Sequence, residues 1–218
     1  KLPILDKKFE GAKFLVWTTT PWTIPANVAL VVNPEFDYGF FDNGREKLIS
    51  LKDLAKSILE KEFILKKTFK GKTLKGLKYE GPFDDLPRVK KIASEKSNTF
   101  HTVVLDKDLV TETEGTGIVH CAPGAGEEDF KIGQREDLAV IDVIDESAVY
   151  LEEMAEFSGK NAKQNPEMIF DYLKNYKAGG FFCKIEDYTH RYPTCLRCKT
   201  ELVWRVVDEW YISMEKLR

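Results

Sequence analysis

Apolar residues in this chain cluster in short runs rich in Val, Ile and aromatic side chains, each bounded by polar or turn-forming residues. Lys13–Trp17 (KFLVW) and Val28–Val32 (VALVV) flank a loop dense in Thr and Pro, and His101–Leu105 and Gly117–Cys121 repeat the pattern further on. Runs of about five such residues are strand-length, and pairing them in a sheet is what satisfies their backbone N–H and C=O groups. Asp37–Phe41 and Lys47–Ser50 enclose Asn43-Gly44, a dipeptide that supplies positive φ for a tight hairpin turn. Ala139–Ile144, Phe181–Thr189 and Glu201–Val207 read as further strands, and Phe63–Leu86, with Lys alternating among apolar residues between glycines, as short exposed strands and turns.

Helices are few. Ser50 precedes LKDLAKSILEKEF, whose apolar residues recur at helical spacing, so Ser50 is a candidate N-cap. Gly124–Gly126 opens a helix from Glu127 to about Arg135. Asn165-Pro166 before EMIFDYLKNYKAGG places Pro in the first turn and glycines after the end. The expectation is a mainly β fold with peripheral helices, in a chain whose 218 residues suit one domain or one plus an appendage.

Charge narrows the partners. Thirty-three Lys and Arg against 36 Asp and Glu leave a net charge of −3, so no global basic field exists to grip nucleic acid. Six lysines between Lys66 and Lys78 either face solvent on a strand or touch phosphate. No stretch approaches the roughly 18 apolar residues of a membrane span, and KLPILDKKFEGAKF has neither Met nor a signal-peptide core. A cytoplasmic piece of a longer chain, without membrane contact, is the expectation. Of four cysteines only Cys195 and Cys198 have motif spacing, which argues against a disulfide framework.

Three constellations could carry chemistry. In Trp17-Thr18-Thr19-Thr20-Pro21-Trp22-Thr23-Ile24-Pro25-Ala26-Asn27, hydroxyls on a proline-stiffened loop suit either a ligand's ester and ribose oxygens and a water, or simple capping of a strand end. In Gly115–Phe130 (GTGIVHCAPGAGEEDF), a glycine loop enters a helix, but Glu127, Glu128 and Asp129 crowd the helix start and repel phosphate. A fixed Asp129 carboxylate there suits a cationic ligand such as an α-ammonium, or merely compensates the helix dipole. His120 and Cys121 are strand neighbours that point to opposite faces, which excludes a Cys/His dyad. Cys195 and Cys198 lie on a knuckle-type turn and supply two of the four ligands that a structural zinc needs.

Together, the Thr/Trp/Pro stretch and the GTGIVHCAPGAGEEDF stretch resemble the editing insertion of class I isoleucyl-tRNA synthetases, over Lys13 to about Met214. The resemblance implies a β-barrel-like editing domain over residues 1–188 and, over 189–218, a returning segment with half a zinc knuckle. It implies hydrolysis of valine wrongly esterified to the isoleucine tRNA, or of valyl adenylate; because such an ester is already activated, Thr hydroxyls, backbone N–H groups and Asp129 suffice for a positioned water, without covalent intermediate or catalytic metal. By motif position Thr18, Thr19, Thr20 and Asn27 line the site, Asp129 holds the ammonium, His120 turns away larger side chains, and Trp17 and Trp22 shape the wall. Gly124-Ala125 departs from the bulkier or polar residues of many relatives. The implied partners are the tRNA acceptor end and the remainder of a parent synthetase, the isolated domain being monomeric. No cofactor serves editing; ATP and Mg belong to an aminoacylation domain whose His-Ile-Gly-His and Lys-Met-Ser-Lys-Ser signatures do not occur here, and zinc to the parent protein. The alternative is a non-catalytic zinc-knuckle module that binds or docks tRNA.

Overall fold

The computed structural model describes residues 1–59, 61–210, 212 and 214. Residues 211, 213 and 215–218 of the expected returning segment lie outside the described residues. Among the described residues eight strands form two sheets. The larger has the order β1 (Leu2–Pro3), β2 (Ala12–Phe14), β5 (Lys47–Leu51), β4 (Asp37–Asp42) and β6 (Ile64–Lys70). The smaller has β3 (Ala29–Val32) between β7 (Thr102–Leu105) and β8 (Ile118–Cys121), parallel to the first and antiparallel to the second. The Asn43-Gly44 hairpin forms as expected, β4 against β5, with Gly44 at φ +82° and the Asn43 side chain accepting two backbone N–H groups of the loop.

The two sheets run into each other at single bridges. Trp17, three residues beyond β2, pairs with Val119 of β8; Lys78 pairs with Thr102 of β7, and Tyr79 with Ile4 just after β1. The barrel-like expectation is therefore met only in outline: among the described residues the strands make two sheets bridged at their seams, not one closed barrel. A continuous core fills the space between, with Phe14, Val31, Ile49, Tyr79 and Ile118 all essentially inaccessible.

Among the described residues four α-helices accompany the sheets, besides short 3-10 turns: α1 (Lys52–Ile58), α2 (Pro87–Glu95), α3 (Glu127–Arg135) and α4 (Glu167–Asn175). Ser50 does not cap α1. It is a buried β5 residue whose hydroxyl goes to the Leu51 carbonyl, and Leu51 occupies the N-cap, because β5 runs straight into the helix. Neither Ala139–Ile144 nor the two tail segments are strands. Ala139, Ile141 and Val143 are buried, but only Ile144 makes a bridge, to Tyr150, and between Phe181 and Val207 the single bridge is Thr194 with Glu201. All three segments have strand-type side chains, but among the described residues none forms a ladder with a neighbouring strand. No helix is long and apolar enough to cross a membrane among the described residues.

Candidate functional site

The antiparallel register of β3 and β8 assembles the site. It sets Leu30 opposite His120 and Ala29 opposite Cys121, so the segment entering β3 comes to lie over the end of β8. That segment is a 3-10 turn, Pro21–Ala26, begun by Pro21 and left through Asn27, whose N–H closes onto the Ile24 carbonyl. Three residues make one 3-10 turn, so Thr20 and Thr23 share a face. Their hydroxyls are 3.1 Å apart, and Thr18 Oγ1 lies 3.3 Å from Thr20 Oγ1.

Inside this turn His120 is held at both ring nitrogens. Nε2 is 3.1 Å from Thr23 Oγ1 and Nδ1 is 2.7 Å from the Asn27 amide nitrogen. That amide nitrogen also donates to the Ala29 carbonyl, while Asn27 Oδ1 accepts the Tyr79 hydroxyl at 2.6 Å. Burial pulls the His120 pKa down to about 4, so the imidazole is neutral at neutral pH. Cys121 points the other way, into the core, and burial raises its thiol.

Asp129 comes from a third element, the first turn of α3. Its Oδ2 accepts the Ala122 N–H at 2.8 Å, and Oδ1 has no protein donor among the described residues. Burial raises its pKa to about 6, Glu128 adding to the rise and the Ala122 bond opposing it. Glu127, by contrast, points outward to Lys131. Of the Gly124-Ala125 pair, Ala125 borders the cavity and Gly124 does not: a Cβ on Gly124 would lie 2.4 Å from the Ile141 carbonyl oxygen, so that glycine serves a close backbone approach.

Trp17, Thr18, Thr19, Thr20, His120 and Asp129 all border one cavity of about 300 Å³. Asn27 and Trp22 do not border it. Both face an adjoining, larger cleft of about 810 Å³, which Trp17, Thr18, Thr19 and His120 border as well. The tail crosses that cleft, with Tyr188 edge-on to Trp17, Tyr192 edge-on to Trp22, and Lys163 stacked 4.5 Å from the Trp22 ring centre and 3.9 Å from that of Tyr192. The sequence reading missed Thr23, which links Thr20 to His120, and the stretch of wall formed by Leu109, Val110, Thr111 and Glu114. The i, i+3 spacing of Thr20 and Thr23 after a proline was the available signal for the first; nothing local marks the second.

Cys195 and Cys198 sit on a tight turn: Lys199 N–H closes onto the Cys195 carbonyl, Cys195 N–H onto that of Thr200, and Lys199 has φ +61°. A hydrogen bond with the Thr200 hydroxyl lowers the Cys198 thiol to about 7. The donor set fits half of a tetrahedral zinc site. Among the described residues no three His, Cys, Asp or Glu side chains gather for a metal.

No protein-family model matches the chain. The isoleucine–tRNA ligase of Sulfolobus acidocaldarius is 38% identical over 216 residues, covering 97% of this chain and 20% of that protein. That of Pyrococcus furiosus is 39% identical over 229 residues, covering all of this chain and again 20% of the relative. The chain is homologous to one segment of the isoleucine–tRNA ligases. It spans about a fifth of the length of these relatives. The ligase segment also has a counterpart in fold: the leucyl-tRNA synthetase CP1 domain GlLeuRS-CP1 superposes with a TM-score of 0.58 at 15% identity, over 76% of this chain and 82% of that one.

Proposed function

We propose that this ligase segment is a proofreading hydrolase that cleaves valine from the isoleucine tRNA, and valyl adenylate where that reaches it. The observation that carries the reading is the 300 Å³ cavity bordered by three threonines, a neutral buried His120 and a half-buried Asp129. An aminoacyl ester is already activated, so its hydrolysis needs a held water, a donor for the developing oxyanion and an anchor for the amine. Asp129 Oδ1 is the anchor, the threonine loop holds the water, and the rigid His120 limits the side chain that fits. One methylene is worth only about 1–3 kcal/mol in an apolar pocket, and Ile against Val in this synthetase is the stock illustration of that limit, so a second, excluding pocket is the remedy.

In this reading residues 1–188 are the editing unit and 189–218 lead back to the rest of the synthetase, which supplies ATP-dependent aminoacylation and the second half of any zinc site. The test is deacylation by the 218-residue chain of valine and isoleucine esters of the isoleucine tRNA. Release of valine with isoleucine left in place supports the reading. Equal turnover, or turnover of neither at high protein concentration, removes it.

A further inference from the structure

The hydrogen bonds around His120 carry a direction, and it runs to the cavity. The Asn27 amide nitrogen only donates. It lies 3.0 Å from the Ala29 carbonyl and 3.5 Å from that of Cys121, so exchanging nitrogen and oxygen would set oxygen against oxygen, and the Tyr79 hydroxyl is left to donate to Oδ1. His120 Nδ1 must then accept, and the ring proton sits on Nε2, donating to Thr23 Oγ1. Thr23 has one hydrogen, and of its two possible acceptors the Thr20 carbonyl is nearer, at 2.8 Å against 3.1 Å for the Thr20 hydroxyl, and cannot itself donate, so the hydrogen is assigned there. At the 3.1 Å contact between hydroxyls, Thr20 is therefore the donor; at the 3.3 Å contact, Thr18 donates to Thr20. Thr18 Oγ1 meanwhile accepts the Thr20 N–H. This assignment gives each contact one hydrogen and leaves none pointing out. Thr19 borders both this cavity and the adjoining cleft, with no partner for its hydroxyl among the described residues.

We infer that Tyr79 and Asn27 are positioning residues that hold His120 as its Nε2–H tautomer and so turn the hydroxyl hydrogens of Thr18 and Thr20 inward, leaving Thr19 as the one of the three that donates into the cavity. Thr18 and Thr20 then show the cavity only lone pairs, which hold a water through its own hydrogens, while Thr19 faces the ester oxygen as charge develops there. Tyr79 is fixed in turn: His101 stacks on its ring at 4.6 Å and reaches the Asn27 carbonyl through Nε2. The inference rests on the proofreading reading for its catalytic consequence, but not for the direction of the bonds.

Nitrogen-15 NMR of the imidazole rings reads that direction without any substrate. In the unmodified chain His120 is expected as Nε2–H, with Nδ1 an acceptor; an Nδ1–H ring overturns the inference. Asn27→Asp keeps the shape but removes the donor, so His120 should move its proton to Nδ1 and Thr23 should donate to Nε2. Turnover of the valine ester should then fall at least tenfold in kcat, with KM within about twofold. An inverted tautomer with unchanged kcat overturns the link to the threonines. Should Asn27→Asp not fold, the ring shifts of the unmodified chain, and Thr19→Val with kcat down about 100-fold, decide the matter; unchanged kcat in Thr19→Val counts against it. If the unmodified chain cleaves no ester, the proofreading reading fails while the NMR result still stands for or against the bond direction.

Discussion

Asp129 is the one acidic side chain at the cavity whose ionisation the fold resists. Desolvation raises it to about 6 although a helix N-terminus and the Ala122 N–H both favour the charged form. Its folded pKa lies above the unfolded value of about 3.9, so ionising it costs stability: the penalty is absent below that value and complete above about pH 6. Allowing for partial exposure, it is on the order of 1 kcal/mol. Asp129→Asn should thus melt higher than the unmodified chain at pH 8 and no higher at pH 4. The same substitution should lower kcat/KM for the valine ester roughly 10–100-fold by deleting a charge-assisted bond to the ammonium, and should abolish a limb that rises with pH through about 6 in the unmodified chain. A mutant retaining both the rate and the limb would remove Asp129 from the anchor role. That an acidic residue belonged at this helix start was legible in GEED. That Asp129 faces inward and Glu127 outward was not, since it depends on where α3 packs.

At the scale of elements, the sequence showed β-type runs well where both partners were strong. The Asn-Gly hairpin, β3, β7, β8 and α3 lie within one or two residues of where periodicity put them. Its failures have a common cause. Ala139–Ile144 and the tail have strand composition, yet a strand needs an edge to pair with, and the edge is a property of the assembled fold. α2 went unread for the opposite reason: its lysines dilute the apolar face to little more than Val89 and Ile92, and Leu86-Pro87 gave the only start signal. Gly124 shows how one element positions another. Its backbone rests on the Ile141 carbonyl of that buried, unpaired segment, and this contact sets the approach to α3. Gly124→Ala should force the two apart, costing about 1–3 kcal/mol. Thermal unfolding should register a loss of about 2–4 °C for each kcal/mol. Because Asp129 moves with α3, valine-ester turnover should fall as well; a variant with unchanged melting temperature would mean that the loop shifts freely and does not fix the helix.

Across the whole molecule, charge and the placement of the two cavities bear on how a polyanionic substrate arrives. The chain carries −3, and the lysine ribbon of β6 and its turn is partly spent: Lys70 pairs with Asp37 and the Glu35 carbonyl, and Lys78 holds the carbonyls of Ser97, Asn98 and Phe100. β6 is also an edge strand with Ile64 and Leu65 exposed, where lysines discourage pairing with another sheet. A surface of this kind gives little counterion release, and that release dominates nucleic-acid affinity. If the segment works as a proofreading site, the acceptor end must be delivered by the rest of the synthetase, which makes up most of the length of the homologous ligases. The expected result is that the isolated chain binds the isoleucine tRNA no better than non-specific binders do, with Kd on the order of 10⁻⁵ M near physiological salt. Fluorescence anisotropy over a salt series measures it. Submicromolar binding, with a steep salt slope removed by neutralising Lys66, Lys67, Lys72 and Lys75, would instead make β6 an RNA-binding face and shift the balance toward a docking module. Weak binding combined with valine-ester turnover that saturates only at high tRNA concentration would tie the near-neutral charge to a division of labour within the longer enzyme, capture outside this segment and hydrolysis within it.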